Sequence, residues 1–142
     1  MPMHNSLADS TLIAVDIASQ IASAGVNGTA FDMQGWDGIC YVFNLGAMTA
    51  SGTFDARIMA SNTSAFTVNS NITNAALTQV ANTSNTNAFV IDVYRPTLRY
   101  IKSVTTPAVA NTQFAVTAIR YRRSGILPPT ASALQTVKVA QN

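Results

Sequence analysis

The side chains able to do chemistry are few and scattered. The chain has one His, His4, and one Cys, Cys40. Its six acids are all Asp (Asp9, Asp16, Asp32, Asp37, Asp55, Asp92), with no Glu. A general base needs a held geometry, and His4 lies close to the first residue, where chains are usually mobile. Cys40 sits inside the apolar run Ile39-Cys40-Tyr41-Val42-Phe43. A lone thiol there acts as a small buried hydrophobe and has no disulfide partner. A zinc site would have to combine His4, Cys40 and scattered Asp at no ligand spacing. Asp32 and Asp37 flank one loop but offer too few oxygens for a hard cation. Gly25, Gly28, Gly35 and Gly38 are irregularly spaced and precede no helix, so they make no phosphate cradle. The inventory points away from an enzyme, with no cofactor and no metal expected.

The bases carry more information. Arg95, Arg99, Lys102, Arg120, Arg122 and Arg123 are six of the eight Lys and Arg residues, and Tyr94, Tyr100 and Tyr121 lie among them. Strand bases can simply guard a sheet edge against aggregation. They can also meet an acidic protein surface, or a nucleic acid. A net charge of +2 is a weak footprint for nucleic acid, which is disfavoured. Trp36, between Gly35 and Asp37, is either a recognition aromatic or a plug at the rim of the fold. Ile126-Leu127-Pro128-Pro129 reads as extended and non-pairing, a segment suited to reach a partner.

These residues need a frame, and the punctuation of the chain describes one. Short runs of β-branched and aromatic residues alternate with clusters of Asn, Ser, Thr, Gly and Pro. Thr11–Ile17 is a first apolar run, and Ala18–Ala24 is left open between a helical turn and an arm. Asn27-Gly28 is a turn leading to a short strand at Ala30–Met33. Gly35-Trp36-Asp37-Gly38 turns into Ile39–Leu45, which is apolar on both faces and so suits a central, doubly covered strand. Phe54–Ala60 alternates, with Phe54, Ala56, Ile58 and Ala60 inward; the two runs are expected to form a hairpin. Residues 61–88 hold seven Asn and no charge, and are expected to form edge strands and loops. Ala88–Tyr94, Leu98–Val104 and Phe114–Arg122 are further strands, with a turn at Thr106-Pro107. About eight strands at regular spacing indicate an all-β, single-domain antiparallel β-sandwich or jelly roll.

The expected organisation is an N-terminal arm and first strand over 1–28, a sandwich over 29–125 and a C-terminal arm over 126–142. Only 10% of residues are charged, against about 25% in average globular proteins. No apolar run is long enough to span a membrane as a helix, so no membrane partner is expected. A surface rich in Ala, Thr and Asn suits a protein packed against other copies more than a free monomer.

Three segments resemble those of small tailed-bacteriophage virion proteins. They are Phe31-Asp32-Met33-Gln34-Gly35-Trp36-Asp37-Gly38, Gly46-Ala47-Met48-Thr49-Ala50-Ser51-Gly52-Thr53, and Ile91-Asp92-Val93-Tyr94-Arg95-Pro96-Thr97-Leu98-Arg99-Tyr100-Ile101. The likeness covers roughly residues 29–125 and resembles the capsid cement or decoration type, a jelly roll. It implies a chain made in the host bacterial cytoplasm and placed on the capsid surface of the virion. Its partners would be the major capsid protein and itself, as a homo-oligomer, with trimer preferred to dimer. Contacts are then expected from Arg95, Arg99, Arg120, Arg122, Arg123, Trp36 and the Ile126–Pro129 arm. The alternatives are a tail or head–tail connector component, and a carbohydrate- or nucleic-acid-binding β-sandwich module.

Overall fold

The computed structural model describes residues 10–122 and 135–141. The strands are β1 (Thr11–Ala22), β2 (Val26–Asn27), β3 (Phe31–Asp32), β4 (Gly38–Met48), β5 (Thr53–Ser61), β6 (Ser70–Ala76), β7 (Val80–Ala81), β8 (Ala88–Tyr94), β9 (Tyr100–Ala108), β10 (Thr112–Tyr121) and β11 (Gln135–Ala140). They form two sheets. One has the order β1-β10-β4-β8-β11. The other has the order β2-β9-β5-β6, with β3 added on β9 and β7 on β5. Pairing is antiparallel except where β11 runs parallel to β8. The chain is an all-β sandwich, as its punctuation indicates.

Period-two alternation builds the core. Ile39, Tyr41, Phe43 and Leu45 of β4 face Phe54, Ala56, Ile58 and Ala60 of β5, and all are buried. Phe89, Ile91 and Val93 of β8 and Phe114, Val116 and Ala118 of β10 complete the layer. Aromatic rings run through it from Phe31 to Tyr41, Phe43, Phe54 and Phe114, with centroids 5.2–6.4 Å apart. These are edge-on, tilted and stacked contacts, each worth about 0.5–1.5 kcal/mol beyond area burial.

Several expectations need correction. β4 and β5 are not a hairpin: they lie in opposite sheets. The turn around Ser51, whose φ is 64°, carries the chain across the sandwich. β9 and β10 also lie in different sheets. Thr106-Pro107 is not a turn. β9 runs through it, with Pro107 opposite Phe54. Registered pairing of β2 with β9 ends at Thr105. Beyond it Pro107 has a ladder neighbour on one side only, where its missing N–H costs little. The chain reverses instead at Val109 (φ 68°).

The two expected arms are partly body. β1, the first strand of the 1–28 segment, pairs with β10 over its whole length, and Ile17 is buried, so this part of the segment belongs to the sandwich. β11 closes the far edge of the same sheet, Val137 and Val139 packing against the core. Gln141 N–H then donates to Tyr94 O at 3.0 Å. Gln135–Ala140 is therefore a strand of the sandwich rather than an outward arm.

A buried carboxyl ties the sheets together at β1. Asp16 accepts hydrogen bonds from Thr29 N (2.6 Å) and from Ser103 Oγ of β9. Gly28 passes so close that a Cβ would collide with the Asp16 carboxyl and Ser103 Oγ. Burial pushes the Asp16 carboxyl up, against the lowering effect of the Ser103 and Thr29 hydrogen bonds.

Candidate functional site: an arginine and tryptophan corner

The Phe31–Gly38 segment, the turn from Tyr94 to Tyr100 and the end of β10 meet at one end of the sandwich. The backbone sets the frame. Met33 N–H donates to Arg99 O (2.8 Å), Trp36 N–H to Met33 O (3.0 Å), Asp37 N–H to Tyr121 O (3.0 Å) and Arg95 N–H to Asp37 O (2.8 Å). Gly35 turns at φ 81°, a conformation natural to glycine. Arg95 holds φ 52°, the left-handed region a side chain enters only when its surroundings fix it.

The arginines then lock the loop. Arg99 Nε and Nη2 reach Asp32 Oδ1 and Oδ2 at 3.0 and 2.7 Å. Asp32 Oδ1 also accepts Gln34 N–H at 2.9 Å, closing an Asx turn. The Arg99 hydrogen bonds, then that of Gln34, hold the Asp32 carboxyl down at about 2. Arg120 Nη1 donates to Asp32 O at 3.0 Å, and its guanidinium lies 5.4 Å from the Phe31 ring and 5.3 Å from the Trp36 ring. Arg122 Nε donates to Gly35 O at 3.0 Å, its guanidinium 5.0 Å from the Trp36 ring. Trp36 thus carries two cations and packs against the core at the rim.

Arg95 differs from the others. Its backbone is fixed, its guanidinium stacks 5.3 Å from the Tyr94 ring, and no carboxylate pairs with it among the described residues. It borders an open depression of about 520 Å³ lined also by Met33, Gln34, Trp36, Asp37, Pro96, Leu98 and Arg99. Its lining is mixed: Asp37 brings a carboxylate, Asp32 already pairs Arg99, and Arg95 is the cation there that carries no carboxylate partner among the described residues.

The sequence-expected residues therefore divide. Arg95, Arg99, Arg120, Arg122 and Trp36 converge, although they come from three segments and both sheets. Lys102 is engaged elsewhere, its ammonium 4.4 Å from the Phe66 ring. Arg123, Ile126, Leu127, Pro128 and Pro129 lie outside the described residues. The bases are not a bare positive patch, because Asp32, distant in sequence, neutralises Arg99 in space. Sequence reasoning missed Asp32 in that role and missed Asp16 as a buried brace. The available signal for Asp16 was a single acid inside an apolar run.

The remaining reactive groups are quiet. Burial, then the Asp92 charge, pushes the Cys40 thiol up to about 12. Tyr121 OH donates to Asp92 Oδ1 at 2.7 Å, and burial raises that phenol well above its usual value. Among the described residues no three His, Cys, Asp or Glu side chains cluster to hold a metal ion. Among them, too, no helix is long and apolar enough to cross a membrane. No family model matches the chain, and no curated protein matches it.

Proposed function

We propose that this chain is a non-enzymatic structural protein of a tailed-bacteriophage virion, a jelly-roll cement protein on the outer shell. It oligomerises there and clamps neighbouring copies of the major capsid protein. The observation that carries this reading is the corner itself. Two of the segments that resemble phage virion proteins, Phe31–Gly38 and Ile91–Ile101, are bound to each other through Arg95 N–H to Asp37 O and Arg99 to Asp32. Together they offer Arg95 and Trp36 on a rigid frame, as a docking site for an acidic side chain would require.

The mechanism is thermodynamic. Packed DNA pushes a shell outward, and a protein seated across a subunit boundary adds contact that separation must expose again. A ligand that binds only the assembled shell stabilises it by mass action. Arg95 gives orientation and encounter rate, while the partly exposed Trp36 and Leu98 contribute apolar area.

The test is re-addition of purified protein to heads lacking it, followed by co-sedimentation at low and high salt. The expected result is binding that weakens with salt and is reduced about tenfold or more by Arg95→Glu. Binding indifferent to both would overturn the Arg95 contact. Binding to tails or tail tubes and not to heads would move the chain to a connector role.

A further inference from the structure

The inner side of the corner carries two polar atoms that the protein itself leaves unpaired. Tyr41 is fully buried, and its Oη has no hydrogen-bond partner among the described residues. Arg120 donates from Nη1 to Asp32 O, but its buried Nε has no partner there either. Buried polar groups are nearly always paired, with protein or with ordered water, because an unpaired one loses its hydration without return.

The two atoms belong to one neighbourhood. Tyr41 lies beside Ala118 in the β4–β10 ladder, and Arg120 is the next residue of β10 on the same face. The Phe31 ring adjoins both, its centroid 6.4 Å from that of Tyr41 and 5.4 Å from the Arg120 guanidinium. Burial pushes the Tyr41 phenol up; the Asp16 charge raises it further, and the Arg120 charge lowers it. A cation and an anion therefore both act on this hydroxyl, and neither is bonded to it. The Asp16 carboxyl spends its hydrogen bonds on Thr29 N–H and Ser103 Oγ.

We propose that Tyr41 Oη and Arg120 Nε bind one ordered water inside the sandwich. The ligand class follows from the atoms. Nε–H can only donate, so its partner must accept, whereas a phenol both donates and accepts. An anion would accept from Arg120 but would also meet the Asp16 charge. A neutral water accepts the Nε–H and still bonds Tyr41 Oη, within the roughly two to four bonds usual for buried waters. A third unpaired buried atom, Thr112 Oγ1, lies at the other end of β10. Its ladder neighbours, Ala22 and Met48, bring no hydroxyl, amide or charge to share a water, and none is expected there. The Tyr41 water anchors the inner side of the guanidinium that holds Asp32 O and lies over Trp36. It is independent of the virion reading, since it needs no outside partner.

A high-resolution crystal structure of the full chain tests this directly. The expected result is a water within about 3.2 Å of both atoms. An empty site, a protein atom in place of the water, or an anion identified by anomalous scattering would overturn the proposal. Tyr41→Phe tests it in solution by removing one of the two atoms. Oxygen-17 relaxation dispersion is expected to show one long-lived internal water fewer than in the wild type. The folding equilibrium constant, from urea unfolding, is expected to fall about tenfold. Thr112→Val removes a hydroxyl where no water is expected, and should leave that constant unchanged or raise it. Undiminished dispersion in Tyr41→Phe, a Tyr41→Phe as stable as wild type, or an equal loss in Thr112→Val would each overturn the proposal. If Tyr41→Phe does not fold, the wild-type crystal structure decides alone.

Discussion

Arg99 holds Asp32 through both carboxylate oxygens, at 3.0 and 2.7 Å, across a sequence separation of 67 residues. One arm of the pair is on β3 and the other just before β9, so the contact fixes how the Phe31–Gly38 loop sits on the sheet. Both side chains are substantially exposed, and the pair's effect is local order more than global stability. The Asp32 carboxyl is held at about 2 against an ordinary 3.8. Its contribution is therefore complete above 3.8 and is lost as pH falls through about 2. In Arg99→Ala the carboxyl midpoint should return towards 3.8, read from the carboxyl carbon shift by NMR. A midpoint unchanged in the variant would remove Arg99 as the cause.

Asp16 behaves in the opposite sense. Its carboxyl is raised by burial, so the folded state binds its proton more tightly than the unfolded state. Stability then falls as pH rises from 3.8 through the raised value, and is level above it. Asp16→Asn keeps an acceptor for Thr29 N–H and should flatten that pH dependence in urea unfolding. Asp16→Ala leaves Thr29 N–H and Ser103 Oγ without their partner and should cost about 1–3 kcal/mol near neutrality. A gain in stability from Asp16→Ala would contradict the brace.

Phe54 is fully buried between Phe43 and Phe114. Phe54→Ala should destabilise by about 3–5 kcal/mol, measured by denaturant midpoint at constant slope. A loss under about 1 kcal/mol would mean that the two sheets do not close around this ring.

Cys40 should be unreactive in the native protein. A thiol pushed up to about 12 carries almost no thiolate at pH 8. An aromatic disulfide reagent should label it slowly in buffer and promptly in denaturant. Equal rates in both would show that Cys40 is not held in the sheet.

The alternating strands were readable from sequence because period two is local. Ile39–Leu45 and Phe54–Ala60 state their inward faces with no knowledge of the rest. Where those strands go was not readable. The Ser51 turn marks a reversal but does not say whether the chain re-enters the same sheet or crosses to the other, and it crosses. β11 was missed because Val137 and Val139 form a minimal pattern whose meaning comes from β8, far away in sequence. Arg95, Arg99, Arg120 and Arg122 were visible in the sequence, but the pairing of Arg99 and Arg120 with Asp32 and the stacking of Arg120 and Arg122 on Trp36 depend on a loop 60 to 90 residues earlier. Asp16 was visible only as an acid in an apolar run, a sign of a buried charge that does not name its partner.

The central claim, a cement role on the capsid exterior, is tested most directly by counting. Virions of a phage encoding this chain would be purified, and the chain quantified against the major capsid protein on a stained gel. The account predicts a copy number that scales with the shell, a fixed simple ratio to the major capsid protein. A copy number fitting a single ring at the head–tail vertex, or absence from the particle, would contradict it.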